Sequence, residues 1–245
     1  MAAERLPATG SHAEPHAEPH ADPRSGSWGC DTADVVMFHR FLRMVFRDAR
    51  SVVDAVADGD RRRTTLAVRH LRQISHVLES HHHGEDVFLW DDLERRSPAC
   101  ALHVEQMRAQ HAEIEKHLTA LGARVDAWRA SARRREAIAV RGQLDRLTAA
   151  LDDHLGQEEI DILPVAATSF TPAEWGRLEH HGRRTVPPRW LFIQLGFMLE
   201  SMPAAEQGAF LRALPAPARA AWRLVGRSSF RRHRARLFPA RRTTT

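Results

Sequence analysis

The chain has 245 residues, 43% of them hydrophobic, which allows one large domain or one domain with an appendage and supplies ample material for a core. Its formal net charge is +5, but the cations are almost all arginine, with Lys116 the only lysine. Genome composition is the first reading of that bias and nucleic-acid affinity the second. Cys30 and Cys100 are too few for a disulfide framework and are not spaced as a close metal pair, which suits a reducing cytoplasm. The N-terminus has no apolar signal-peptide core. The longest apolar run, residues 190–199, is interrupted by Gln194 and Gly196 and is too short to span a bilayer. The expectation is a cytoplasmic protein with no transmembrane segment.

Residues 1–30 are rich in Pro, Ala, Gly and Ser and carry the period HAEP-HAEP-HADP at residues 12–23. Such a segment cannot bury a core and is expected to be disordered. A polar tail is the simpler reading; weak metal scavenging by His12, His16 and His20 is the functional one.

A first helix is expected from Asp31, with Asp31, Thr32 or Asp34 able to cap it. Val35, Leu42, Phe46, Ala49, Val53 and Val56 share a face with His39 at its edge, and Asp58-Gly59-Asp60 supplies the turn. A second helix is expected over residues 62–96, ended by Ser97-Pro98. Ile74, Val77, Leu78, Phe88 and Leu89 form its apolar stripe. A third, over residues 99–128, aligns Met107, Ile114, Leu118, Leu121 and Val125 with His111. A fourth, over residues 132–163, aligns Val140, Leu144, Leu147, Leu151 and Ile162 and is closed by Pro164. Four long amphipathic helices with short connections imply an all-α, up-down-up-down four-helix bundle at residues 31–167.

The stripes carry residues that an ordinary core rejects. His81 and Glu85, four apart, stack on one face of the second helix, and His154 and Glu158 repeat the spacing in the fourth. Burying an unpaired carboxylate or imidazolium costs several kcal/mol, typically about 3–5. A cation held between helices would compensate both pairs, and bundle cores are where carboxylate-bridged dimetal sites are built from facing helices. The competing reading is a set of core histidines hydrogen-bonded to neighbouring carboxylates.

His39, the run HHHGED (residues 81–86), Gln110-His111 and HLGQEEIDILP (residues 154–164) together resemble the hemerythrin-like HHE cation-binding family over residues 31–167. The resemblance implies an up-down bundle holding a non-haem di-iron centre, with His39, His81, Glu85, His111, His154 and Glu158 as ligands. Oxygen-carrying hemerythrins show H-x-x-x-H in the third helix, where this chain has Met107 at the first position, a thioether poorly suited to hard iron. They also show H-x-x-x-x-D in the fourth helix, where this chain has H-x-x-x-E. One third-helix histidine with two glutamates is more similar to the regulatory and enzymatic branch. Asp91 stands where many relatives have Pro after the aromatic, which bears only on how the second helix ends. His103, two turns before His111, is a rival ligand; His111 is preferred for its Gln-His match and its place on the stripe.

Imidazole and carboxylate without thiolate favour iron or manganese over structural zinc, although manganese or zinc could substitute for iron. Two six-coordinate ions need about twelve ligand bonds, of which four histidines and two bridging glutamates give roughly eight. The remainder is left for solvent, an oxo or hydroxo bridge, or an incoming O₂, peroxide or NO; His82 could fill one position. His83 and Asp86 point off the stripe and are expected at the solvated surface. The chain has no tyrosine, which disfavours chemistry that generates a tyrosyl radical.

Residues 168–245 read as a helical, Arg-rich extension, similar to that of some actinobacterial hemerythrin-like proteins. Thr171-Pro172-Ala173-Glu174 is a helix start, Pro187-Pro188 a break, and the end is basic, with Arg223, Arg227, Arg231, Arg232, Arg234, Arg236, Arg241 and Arg242. Short helices packed on the bundle, with a solvated arginine tail, are expected. His180 and His181 are placed on a surface helix. The leading functional expectation is a di-iron protein that binds or reacts with O₂, peroxide or NO in oxidative or nitrosative stress response or sensing. The alternative is a regulatory interaction protein whose basic C-terminal segment reads out the metal state.

Overall fold

The computed structural model describes residues 28–238; the HAEP repeat with His12, His16 and His20, and Arg241 and Arg242, lie outside them. Every regular element among the described residues is helical. Helix α1 (Ala33–Asp54) is opened by Asp31, whose Oδ1 accepts the Ala33 N–H at 2.9 Å. Asp60 caps α2 (Arg61–Phe88) by accepting the Arg63 N–H at 3.0 Å. After α3 (Trp90–Arg96) and a short 3₁₀ turn at Pro98–Cys100 come α4 (Ala101–Ser131) and α5 (Arg134–Gln157). The helices α1, α2, α4 and α5 pack in a ring, each against the next and α5 back against α1, which is the expected up-down bundle.

Two local expectations are corrected. The helix expected over 62–96 is divided at Leu89, whose φ of −115° distorts the turn while its backbone stays in the right-handed region. The break sets both Leu89 and Trp90 into the core, at 2% and 0% exposure. Pro164 does not close the fourth helix. A π turn at Glu158–Ile162 leads into α6 (Leu163–Ser169), with Pro164 in its first turn. The wider turn carries the chain past the carbonyl that a proline ring meets in α geometry.

The expected stripes are buried: Leu42, Phe46, Leu71, Leu78, Ile114, Leu144 and Leu151 belong to one large apolar cluster. A second cluster, with Val35, Leu89, Trp90, Met107 and Ile162, fills the other end of the bundle. Between the two lies a layer of buried polar residues: His39 follows Val35 and precedes Leu42, and His111 stands between Met107 and Ile114.

The C-terminal part continues as α7 (Pro172–Thr185), α8 (Leu191–Ser201), α9 (Ala204–Ala213), α10 (Ala216–Ala221) and α11 (Arg227–Leu237), with a π turn at Trp222–Gly226 joining the last two. Thr171 and Glu174 form the expected start of α7 as a reciprocal capping box. Arg96 grips Glu174 through both guanidinium ends, at 2.7 and 2.9 Å, and fastens α3 to α7. Trp190, Phe197, Trp222 and Phe230 join the large bundle cluster. The basic end is therefore not a loose tail up to residue 238. Phe230 and Leu237, spaced seven apart, bury one side of α11 and keep its arginines on a helix.

Candidate metal centre

The polar layer draws on all four bundle helices. His39 (α1), Glu85 (α2), His154 (α5) and Glu158 (π turn) have no exposed surface, and His111 (α4) and the α2 residue His82 are 6% exposed. His39, His81, Glu85 and Glu158 form one group able to hold a cation; His82, Glu85, His111 and His154 form another, each with its ligand atoms within 4.8 Å of one another. Glu85 belongs to both. All six residues expected from the sequence are thus brought together, and His82 joins them.

The ring nitrogens are sorted by their partners. His39 turns Nδ1 to Glu159 Oε1 at 2.9 Å, and that carboxylate also accepts from Arg43 at 2.6 Å. His111 Nδ1 meets Asp86 Oδ1 at 2.8 Å, and His154 Nδ1 meets Gln110 Oε1 at 3.1 Å. Gln110 is itself oriented by donating its amide to Gln157 at 2.5 Å. Assigned from these acceptors, each neutral ring carries its proton on Nδ1 and leaves the Nε2 lone pair facing inward. There His39 and His81 approach Nε2 to Nε2 at 3.2 Å, as do His111 and His154. All four carboxylate oxygens of Glu85 and Glu158, and His82 Nε2, are buried without a hydrogen bond among the described residues.

Such an inventory is electrostatically poor without a cation. Burial, and then the negative charge of Glu85, push the Glu158 carboxyl up to about 8. Burial also raises Glu85, opposed by the His111 ring, whose Nε2 stands 3.5 Å from its Oε2. Burial presses His81, His82 and His154 down, reinforced by the other histidines of the cluster. It presses on His111 too, but the bond to Asp86 and the nearby Glu85 carboxylate outweigh it and raise that imidazole to about 9.

Three further residues find their places. His103, the rival ligand, is 45% exposed and faces Asp161 at 3.4 Å, outside both groups. Met107 is fully buried in the apolar cluster beside the layer. Asp86 is exposed as expected, its side chain to 45%, yet it accepts from both His111 and Trp90 Nε1, the latter at 2.8 Å. His83 is exposed as expected and lies near the His181 ring, 5.5 Å between centroids. The extension reaches the motif at Gly84, where a Cβ would stand 3.0 Å from Leu178 and 3.1 Å from His181.

A hit to the family described as the hemerythrin HHE cation-binding domain covers residues 31–166. Neither curated proteins nor solved structures gave a match. No helix among the described residues is long and apolar enough to cross a membrane.

Proposed function

Because the chain belongs to the hemerythrin HHE cation-binding family, we propose that its bundle binds two cations side by side. His39, His81, Glu85 and Glu158 hold one, and His82, Glu85, His111 and His154 hold the other. The observation that carries this reading is the set of four buried carboxylate oxygens left without a hydrogen bond and facing inward ring nitrogens. Hydrogen bonding within the layer does not satisfy them, which weighs against a purely structural histidine cluster.

The metal we propose is iron, with manganese or zinc as substitutes. Oxygen and nitrogen donors without a thiolate fit it: neither Cys30 nor Cys100 belongs to the groups. Bound there, an iron pair would supply redox chemistry toward O₂, peroxide or NO, as in oxidative or nitrosative stress response or sensing. The chain's own contribution is positional. Glu159, Asp86 and Gln110 fix the rings of His39, His111 and His154. The apolar clusters on either side keep the layer dry and strengthen each ligand contact. The domain division, with a cation-binding bundle at residues 31–167 and the extension after it, belongs to the same reading, as does a cytoplasmic location.

Metal content of protein purified without added metal tests the reading, together with His81→Ala and Glu158→Ala. About two metal ions per chain, reduced in both variants, would support it. A stably folded chain that takes up no metal would overturn it. Turnover of peroxide by the iron-loaded protein would separate an enzyme from a binder.

The close approach of α7 to Gly84 favours a second reading, in which the extension reports the metal state to a partner. Metal-dependent partner binding without turnover is its signature.

A further inference from the structure

The segment after Glu206 contains ten arginines and no acidic residue. Within it α10, the π turn and α11 run as one continuous helix over residues 216–237. Trp222 and Gly226, then Phe230 and Leu237, form its inward stripe. Gly226 admits Trp222 and Phe192 so closely that a Cβ would lie 2.5 and 2.9 Å from them, which fixes which side faces in.

The outward side is chemically two-fold. Arg223, Arg227, Arg231 and Arg232 are exposed, and no carboxylate among the described residues pairs with them. By contrast, Arg234 is held by Glu200 at 2.7 Å. Arg219 is turned to the carbonyls of Arg212 and Leu214, at 2.9 and 3.3 Å. Among these free arginines stand Leu224, 81% exposed, and Val225, 55% exposed; Leu224 is the most exposed of the large apolar side chains described. The neighbouring α9 buries none of its residues.

We infer that this outward face docks on a membrane surface carrying anionic headgroups. Arginines without internal carboxylate partners match lipid phosphates and carboxylates in charge, each adding to attraction near the surface. Charge alone would equally suit a nucleic-acid backbone. The aliphatic pair decides between them: Leu224 and Val225 gain nothing beside a hydrated phosphate ladder, but they gain by entering the boundary between headgroups and acyl chains. The contact is peripheral, in keeping with the absence of a spanning helix among the described residues. It does not depend on the metal reading.

Co-sedimentation of the full chain with phosphatidylcholine vesicles, with and without about a third phosphatidylserine, tests this. Binding is expected only to the anionic vesicles and should weaken as salt is raised. Arg223→Gln, Arg227→Gln and Arg231→Gln combined should weaken it roughly a hundredfold, at about fivefold per arginine. Leu224→Ser with Val225→Ser should weaken it roughly tenfold or more. These positions are all exposed, and an unchanged melting temperature would show that the fold is retained. The inference is overturned if anionic vesicles fail to bind at 0.1 M salt or so. It is also overturned if the Leu224/Val225 variant binds them as tightly as the parent, or if duplex DNA is bound and vesicles are not.

Discussion

His111 and His154 face each other Nε2 to Nε2 at 3.2 Å, while each directs its Nδ1 outward to an acceptor, Asp86 and Gln110 respectively. Two neutral rings held this way point lone pair at lone pair. The arrangement is stable when a proton or a cation lies between them, and the choice depends on pH.

Metal loading should therefore release protons. In the metal-free chain His111, near 9, and Glu158, near 8, both hold a proton at neutral pH. His81, His82 and His154, pressed below the ordinary imidazole value, hold none. Ligands bind deprotonated, so protons should leave the chain on loading at pH 7, those of His111 and Glu158 among them. Apparent affinity should climb from pH 7 to about 9 and level off above it. Titration calorimetry in buffers of different ionisation enthalpy measures the count; an affinity flat across this range would contradict it.

Asp86→Asn should lower metal affinity by about 10- to 100-fold without unfolding the chain, because a weaker acceptor then orients His111. Asp161→Asn, which removes the partner of the half-buried His103, should leave affinity unchanged. Competition with a chromophoric chelator reads both, and equal effects would show that the Asp86 bond is incidental.

His82→Ala and His39→Ala should each weaken one cation position while sparing the other, since the two residues belong to different groups. Metal analysis at limiting free metal should give about one ion per chain in either variant. His103→Ala should match the parent. Loss of metal in His103→Ala with none in His82→Ala would reverse the assignment.

Gly196 lies where α8 meets α11, and a Cβ there would stand 2.2 to 2.6 Å from the Phe230 ring. Gly196→Ala should cost about 1–3 kcal/mol, because the ring cannot retreat within a packed interface. Gly142, in α5, has open space around its Cβ position, so Gly142→Ala should stabilise by roughly 0.5–1 kcal/mol. Denaturant unfolding distinguishes the two signs.

Much of the bundle was legible because an amphipathic helix writes its buried face into the chain at a fixed period. The same period exposed the metal-binding candidates, since His81/Glu85 and His154/Glu158 interrupt apolar stripes at spacings that stack them. His82 did not stand out by that test: it lies one position, about 100°, from His81. It faces inward all the same, because α2 packs between two neighbours. His81 is turned toward His39 of α1, and His82 stacks on His111 of α4, with ring centroids 4.0 Å apart. The part Asp86 plays in holding His111 was hidden for a related reason, that partner lying on another helix.

The sequence by itself determined the all-α class, the four long helices, the six polar residues set into apolar stripes and the start of α7 at Thr171, because each is a local pattern of spacing or capping. Only the tertiary structure decided that α2 breaks at Leu89, that the fourth helix passes Pro164 through a π turn, and that Asp86, Gln110 and Glu159 orient the histidines. It also decided that Trp190, Phe197, Trp222 and Phe230 join the bundle's core. These outcomes turn on contacts between residues far apart in the chain, and no periodicity along a single segment records which neighbour a side chain will meet.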